Sequence, residues 1–235
     1  MIKRKSSYKP LLFTTTIRNP ERLKWFLGVL KEYDGQILDD KLAEKIAGEI
    51  IRIGLYKPLI LSDKVKNKIK EKEPLTDKEV LKVLEDNPQN HKEAGFKKGW
   101  PSRFDTWFRF AKELGFVFYA VGEKIIFSET GNILVDKDHP ELEQQAFQNA
   151  FVKYQRNNPF RRVLNENVPL LLLLEVIKKI KKDEDFNNTG ISKLELPLVI
   201  YWKDNNAEKL YLRIKQLRKD FSYSPSWEVI SEICR

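Results

Sequence analysis

The stretch from Pro101 to Phe127 constrains the fold more than any other part of the chain. Pro101-Ser102 opens a helical pattern that runs to about Leu114, with Phe104, Phe108 and Ala111 on one side and Trp107 beside them. Gly115 ends it. Phe116-Val117-Phe118-Tyr119-Ala120-Val121 follows, then Gly122-Glu123, then Lys124-Ile125-Ile126-Phe127. Two β-branched and aromatic runs around a short glycine-containing turn predict a β-hairpin. Around the first turn, Ser102, Arg103 and Thr106 are expected to project away from the Phe104/Phe108 side.

Asn19 then Pro20 signal a helix start, a capping side chain followed by a residue that needs no amide donor. That helix reaches about Tyr33, with Leu23, Phe26, Leu27 and Leu30 on one face, and Asp34-Gly35 stops it. A second helix is expected over 40–53 on the spacing of Leu42, Ile46, Ile50 and Ile53. Residues 63–73 mix lysine and glutamate and read as a solvated helix or linker. Thr76 and Glu79 form a capping box for a helix carrying Val80, Leu81, Val83 and Leu84. The polar stretch 89–99 reads as a loop, and the apolar run 11–17 as a strand. The order helix, helix, polar turn, aromatic helix, hairpin is that of a winged helix–turn–helix.

Beyond the hairpin, Glu129-Thr130-Gly131-Asn132 reads as a turn leading to Ile133-Leu134-Val135, and Asp138-His139-Pro140-Glu141 caps a helix to about Arg156. Asn157-Asn158-Pro159 breaks that helix. Further helices are expected over 168–182, after the capping box Ser192–Glu195, over 207–220, and from Ser226 onward. The predicted fold class is mainly α with small β-hairpins, arranged as tandem winged helix-turn-helix-like subdomains. The expected divisions are 1–138 for the first subdomain, 139–165 for a connecting helix and basic linker, and 166–235 for a second helical subdomain that ends mid-pattern, as a truncated chain would.

Composition narrows the function classes. Forty-three Lys and Arg against 34 Asp and Glu leave a net charge of +9. Such an excess favours a polyanionic partner, nucleic acid first. The single cysteine, Cys234, excludes a disulfide framework and any cysteine-rich zinc module. His91 and His139 are the only histidines and lie far apart in sequence. The longest apolar run, Val168–Leu174, is too short for a bilayer and contains Pro169, and neither a signal-peptide core nor a glycine-rich phosphate loop is present. The expected location is cytoplasmic, with no membrane partner.

The cations near the aromatic helix are the candidate DNA contacts. Lys97 and Lys98 at its entrance suit phosphates, and Trp100, Ser102, Arg103, Thr106 and Arg109 follow along its first turns. Arginine at such a place can bond guanine bidentately, and Ser or Thr can bond bases or phosphates. Lys124 would extend the set from the wing. The linker adds Lys153, Arg156, Arg161 and Arg162 interleaved with Tyr154 and Phe160, a mixture suited to backbone tracking or stacking. Arg213, Lys215, Arg218 and Lys219 make a further basic stretch.

The segment Lys9-Pro10-Leu11-Leu12-Phe13-Thr14-Thr15-Thr16-Ile17-Arg18-Asn19-Pro20-Glu21-Arg22 resembles the N-terminal signature of the AlwI family of type II restriction endonucleases. The similarity continues through Leu30-Lys31-Glu32-Tyr33-Asp34-Gly35-Gln36 and, more loosely, across Trp100–Phe104 and the wing, with no comparable block after about residue 165. The resemblance implies a type IIS enzyme of a restriction–modification system. In that family, winged-helix-like subdomains read a short asymmetric site, and a separate C-terminal domain with a magnesium-binding carboxylate core cuts nearby. The family's carboxylates have no matched positions in this chain. The expectation is therefore a recognition region for double-stranded DNA with no cofactor of its own, Mg²⁺ serving the full-length enzyme, and a C-terminal nuclease domain or cleavage subunit as partner.

Two alternatives accompany this reading. One is a noncatalytic winged-helix regulator or interaction module. The other is a self-contained nuclease. The one acid-x-Lys triplet, Asp39-Asp40-Lys41, with Glu21 as a second acid, names Glu21, Asp39 and Lys41 as catalytic candidates. Glu21 equally suits a helix first turn and Asp39 an N-cap.

Overall fold

Asn19 accepts the Glu21 amide at 2.9 Å and Pro20 takes the first helical position, so α1 (Pro20–Lys31) starts where its capping chemistry dictates. The computed structural model describes residues 19–92, 95–154, 166–186, 189–222 and 225–234. The predicted strand over 11–17 lies outside them, as do Arg156, Arg161 and Arg162. The chain divides into two compact units, one within Phe13–Ala150 and one within Phe151–Arg235. Each is described by itself.

In the N-terminal unit, α2 (Asp40–Arg52), α3 (Asp63–Lys70) and α4 (Asp77–Asp86) are capped by Asp39, Ser62 and Thr76. The lysine-rich α3 is amphipathic rather than wholly solvated, because it buries Val65 and Ile69. Helix α5 (Trp100–Glu113) packs against α1, α2 and β1. Phe26, Leu27 and Leu30 of α1 meet Ile46, Ala47 and Ile50 of α2 and Phe104, Trp107 and Phe108 of α5 in a fully buried core. Phe26 stands edge-on to Trp107 at 5.6 Å, and Phe104 lies 4.7 Å from Phe108 and 5.1 Å from Tyr119. Edge-to-face and tilted pairs of this kind add to the burial term.

The predicted hairpin is present as β1 (Val117–Phe118) and β2 (Ile126–Phe127), antiparallel, with Val117 opposite Phe127. A third segment joins it. Gly35 donates to the Ile125 carbonyl at 2.7 Å, Ile125 donates to Gln36 at 2.9 Å, and Leu38 donates to Glu123 at 2.8 Å. The connection between α1 and α2 thus pairs with the chain entering β2. Three residues of backbone pairing are too few for a period-2 pattern to register in the sequence.

The turn expected at 129–132 is instead the first turn of α6 (Glu129–Val135), capped by Ser128, whose Oγ accepts the Gly131 amide at 3.0 Å. Gly131 breaks no helix. It is there because the Phe116 carbonyl approaches so closely that a Cβ would lie 1.9 Å from it. A short 3₁₀ turn (Pro140–Leu142) leads into α7 (Glu143–Lys153).

The capping box of α4 carries a pH dependence. Glu79 accepts the Thr76 amide and pairs with Lys68 and Lys64, and the backbone bond first and Lys68 next hold its carboxyl down at about 2. A carboxyl depressed on folding stabilises the fold above its ordinary pKa and loses that contribution as pH falls through the folded value. The melting temperature should therefore decline between about pH 4.5 and pH 2. Glu79→Gln should flatten that part of a thermal-melt pH profile, and an unchanged slope would count against it.

The C-terminal unit contains α8 (Pro169–Lys182), α9 (Leu196–Tyr201), α10 (Ala207–Asp220) and α11 (Trp227–Ile233), with a 3₁₀ turn at Glu184–Phe186. Leu172, Val176 and Ile180 of α8 face Leu210, Ile214 and Leu217 of α10, with Leu198, Val199 and Ile230 closing the core. Asp183 just past α8 takes Lys215 at 2.6 Å and the Tyr211 hydroxyl, and these bonds hold its carboxyl at about 2.

Candidate nucleic-acid interface

Helix α5 does not lay a polar face toward solvent. Every residue from Trp100 to Glu113 is buried or half-buried. Aromatic side chains at 100, 104, 107, 108 and 110 wrap most of its circumference, so α1, α2 and the hairpin cover it from several directions. This corrects the expectation that Ser102 projects outward as part of a reading surface, while Arg103, Thr106 and Arg109 are half-buried. Ser102 is fully buried. Trp100 is a core residue whose Nε1 donates to the Leu84 carbonyl at 3.1 Å. The Thr106 hydroxyl turns back to the Ser102 carbonyl at 3.5 Å. Arg109 is engaged by the buried Asp105 at 2.5 Å, and Asp105 also accepts the Tyr119 hydroxyl at 2.9 Å. Burial first, then the Asp105 charge, raises the Tyr119 pKa well above the ordinary phenol value, so it serves as a donor. Asp105, Arg109 and Tyr119 hold α5 to the hairpin.

Arg103 differs from these. Its guanidinium lies over the Tyr56 ring at 5.2 Å and the Trp107 ring at 5.8 Å, donates to the Tyr56 hydroxyl at 3.0 Å, and bonds His91 Nε2 at 2.6 Å. Arginine can only donate, so His91 accepts there as the neutral ring. Nη1 and Nη2 each carry a second N–H beyond these bonds. The same guanidinium lines an open concavity of about 700 Å³ together with Glu21, Arg22 and Trp25 of α1 and Tyr56 and Lys57 of the α2–α3 connection. Arg22 crosses its inner wall, donating to the Leu55 carbonyl at 2.6 Å. Lys57 is exposed, and Trp25 is 60% exposed on a helix whose Leu23, Phe26 and Leu27 are buried. Three cations, one acid and a solvent-facing indole gather in one hollow. Of these residues the sequence pattern named Arg103 as a DNA contact and Glu21 as a catalytic candidate. Trp25 was legible as the aromatic outlier of the α1 stripe, whereas Arg22, Lys57 and His91 reach the site through tertiary packing.

The remaining candidates are dispersed. Lys97 and Lys98 are exposed on the approach to α5, where the Lys97 amide donates to Asp40 at 2.8 Å. Lys124 is exposed at the edge of the hairpin. Lys153 is exposed in the other unit. In the basic stretch of α10, Arg218 is fully buried against Glu195 and Lys215 is committed to Asp183 and Asp185.

One comparison bears on what such a surface meets. Residues 112–224 match the family model of the AlwI restriction endonuclease. The AlwI match therefore begins at the end of α5, includes the hairpin, and continues well past residue 165, where no comparable block was expected. Over those residues the chain is similar to a restriction endonuclease. No curated protein matches the chain.

Asp39 accepts the Leu42 amide at 2.7 Å as the cap of α2, Lys41 is exposed in the first turn of that helix, and Glu21 occupies the first turn of α1. Among the described residues no group of three or more His, Cys, Asp or Glu could hold a metal ion. Among the same residues no helix is long and apolar enough to cross a membrane.

Proposed function

We propose that this chain is the double-stranded-DNA recognition portion of a type IIS restriction endonuclease, with Mg²⁺-dependent hydrolysis residing in carboxylates other than Glu21 and Asp39. The AlwI match over residues 112–224 carries the reading. The path α1, paired segment 35–38, α2, α5 and hairpin supports a winged-helix-like arrangement of the N-terminal unit. In this arrangement the buried α5 acts as the spine rather than the reader. DNA is met by the loop cations Lys97 and Lys98, by Lys124 on the wing, and by Arg103 in the concavity. Phosphate contacts dominate affinity, and the guanidinium supplies base or phosphate bonding.

Selection of bound sites from a random duplex pool tests the reading, and one short asymmetric sequence should be enriched. Lys98→Ala should weaken binding to all sequences about equally and lower the slope of log affinity against log salt by about 1. A chain that enriches no sequence and binds no duplex would remove the proposal.

A further inference from the structure

We propose that the concavity beside Arg103 takes a DNA nucleotide displaced from the base stack, its phosphate among Arg22, Lys57 and Arg103 and its base against Trp25. The inference rests on the DNA-binding reading above and names what that surface holds. Four features support it.

The first is the indole. Trp25 is 60% exposed while the residues on either side of it in the α1 stripe are buried, so it contributes little to the core. An exposed aromatic face next to cations is the combination that holds an unstacked base and its backbone, and stacking tolerates any base because each has a π-face. The second is charge. Arg22, Lys57 and Arg103 face a single acid, Glu21, which sits in the first turn of α1. The amino end of a twelve-residue helix adds positive potential at the same place.

The third is preorganisation. Arg103 is fixed by Tyr56, Trp107 and His91, and Arg22 by the Leu55 carbonyl, so neither guanidinium must be ordered when a phosphate arrives. The fourth is size. A hollow of about 700 Å³ falls within the range of small-ligand sites and exceeds what one phosphate oxygen contact needs. A fully paired duplex buries its base faces and leaves the indole without a partner.

The test uses the whole chain and two short mixed-sequence duplexes, one fully paired and one with a single unpaired central nucleotide, followed by fluorescence anisotropy. The wild-type chain should prefer the unpaired probe by about tenfold, the scale of one base–aromatic stack. Trp25→Ala and Lys57→Ala remove exposed side chains, so their melting curves should match wild type. Trp25→Ala should abolish the preference while leaving the paired duplex bound as before. Lys57→Ala should reduce the preference and lower the salt slope on the unpaired probe. Equal binding of the two probes by wild type, or a preference that survives Trp25→Ala, overturns the nucleotide site but leaves duplex recognition standing. A wild-type chain that binds neither probe overturns the nucleotide site, and one that in addition enriches no sequence from the random pool overturns both readings.

Discussion

Arg218→Met should unfold the C-terminal unit at markedly lower denaturant, with a loss of about 3–5 kcal/mol. Arg218 and Glu195 are almost completely buried, 2% and 3% exposed at their side chains. The guanidinium makes two bonds to the carboxylate, at 2.7 and 2.9 Å, and donates further to the Thr189 hydroxyl and the Gly190 carbonyl. Its remaining face lies 4.9 Å from the centre of the Phe186 ring. Burial pushes the Glu195 carboxyl up, but Arg218 and the Ser192 amide pull it down further, so the ionised form is held in the folded chain. Removing the cation leaves that carboxylate buried without its partner, which costs far more than the pair contributes. The double variant Arg218→Met/Glu195→Leu should recover part of the loss, because an apolar pair of similar volume often replaces a buried ion pair without penalty. Urea unfolding of the single and double variants checks both statements. A single variant within about 1 kcal/mol of wild type would show that Glu195 finds other partners or water.

Gly131→Ala should be nearly as damaging, by about 3 kcal/mol, even though it places a better helix former in a helix. Alanine gains roughly 1 kcal/mol of propensity over glycine. Against that, the new Cβ would lie 1.9 Å from the Phe116 carbonyl oxygen and 2.8 Å from its carbon. Both atoms are backbone, and the same carbonyl accepts the Ser128 amide at 3.1 Å and its hydroxyl at 3.2 Å, so it has little freedom to retreat. Gly28 in α1 supplies the contrast, since nothing lies within 4 Å of a Cβ there. Gly28→Ala should raise the melting temperature while Gly131→Ala lowers it sharply. Equal responses would mean that propensity, and not the close approach to Phe116, governs position 131.

The helix starts were readable from local chemistry. Asn19-Pro20, Asp39, and Thr76 with Glu79 announce their roles by residue type, and each makes the expected bond to a nearby amide, whereas Ser192 and Glu195 exchange their bonds in the turn before α9 instead of capping it. The hairpin was equally plain from its paired apolar runs. Position 131 reads as part of a turn because a glycine that permits a close approach looks the same in sequence as one that makes a turn. The burial of Ser102 was not legible for a related reason. Periodicity marks which side of a helix is apolar, but not how many neighbours surround it, and here they bury Ser102 and leave Arg103, Thr106 and Arg109 half-buried.

The candidate site shows the same division. Arg103 was visible as a cation at a helix start, yet its neighbours come from positions 22, 25, 56, 57 and 91. Contacts across such sequence distances are set by how α1, α2 and α5 meet around Phe26 and Trp107. Arg103 and Arg218 illustrate the point, since both are arginines in basic helical stretches. Capping rules, apolar spacing and net charge act over a few residues and specify the elements and the taste for a polyanion. Burial is a property of the assembled chain, and it turned Arg218 into an internal tie while leaving Arg103 at the edge of a hollow.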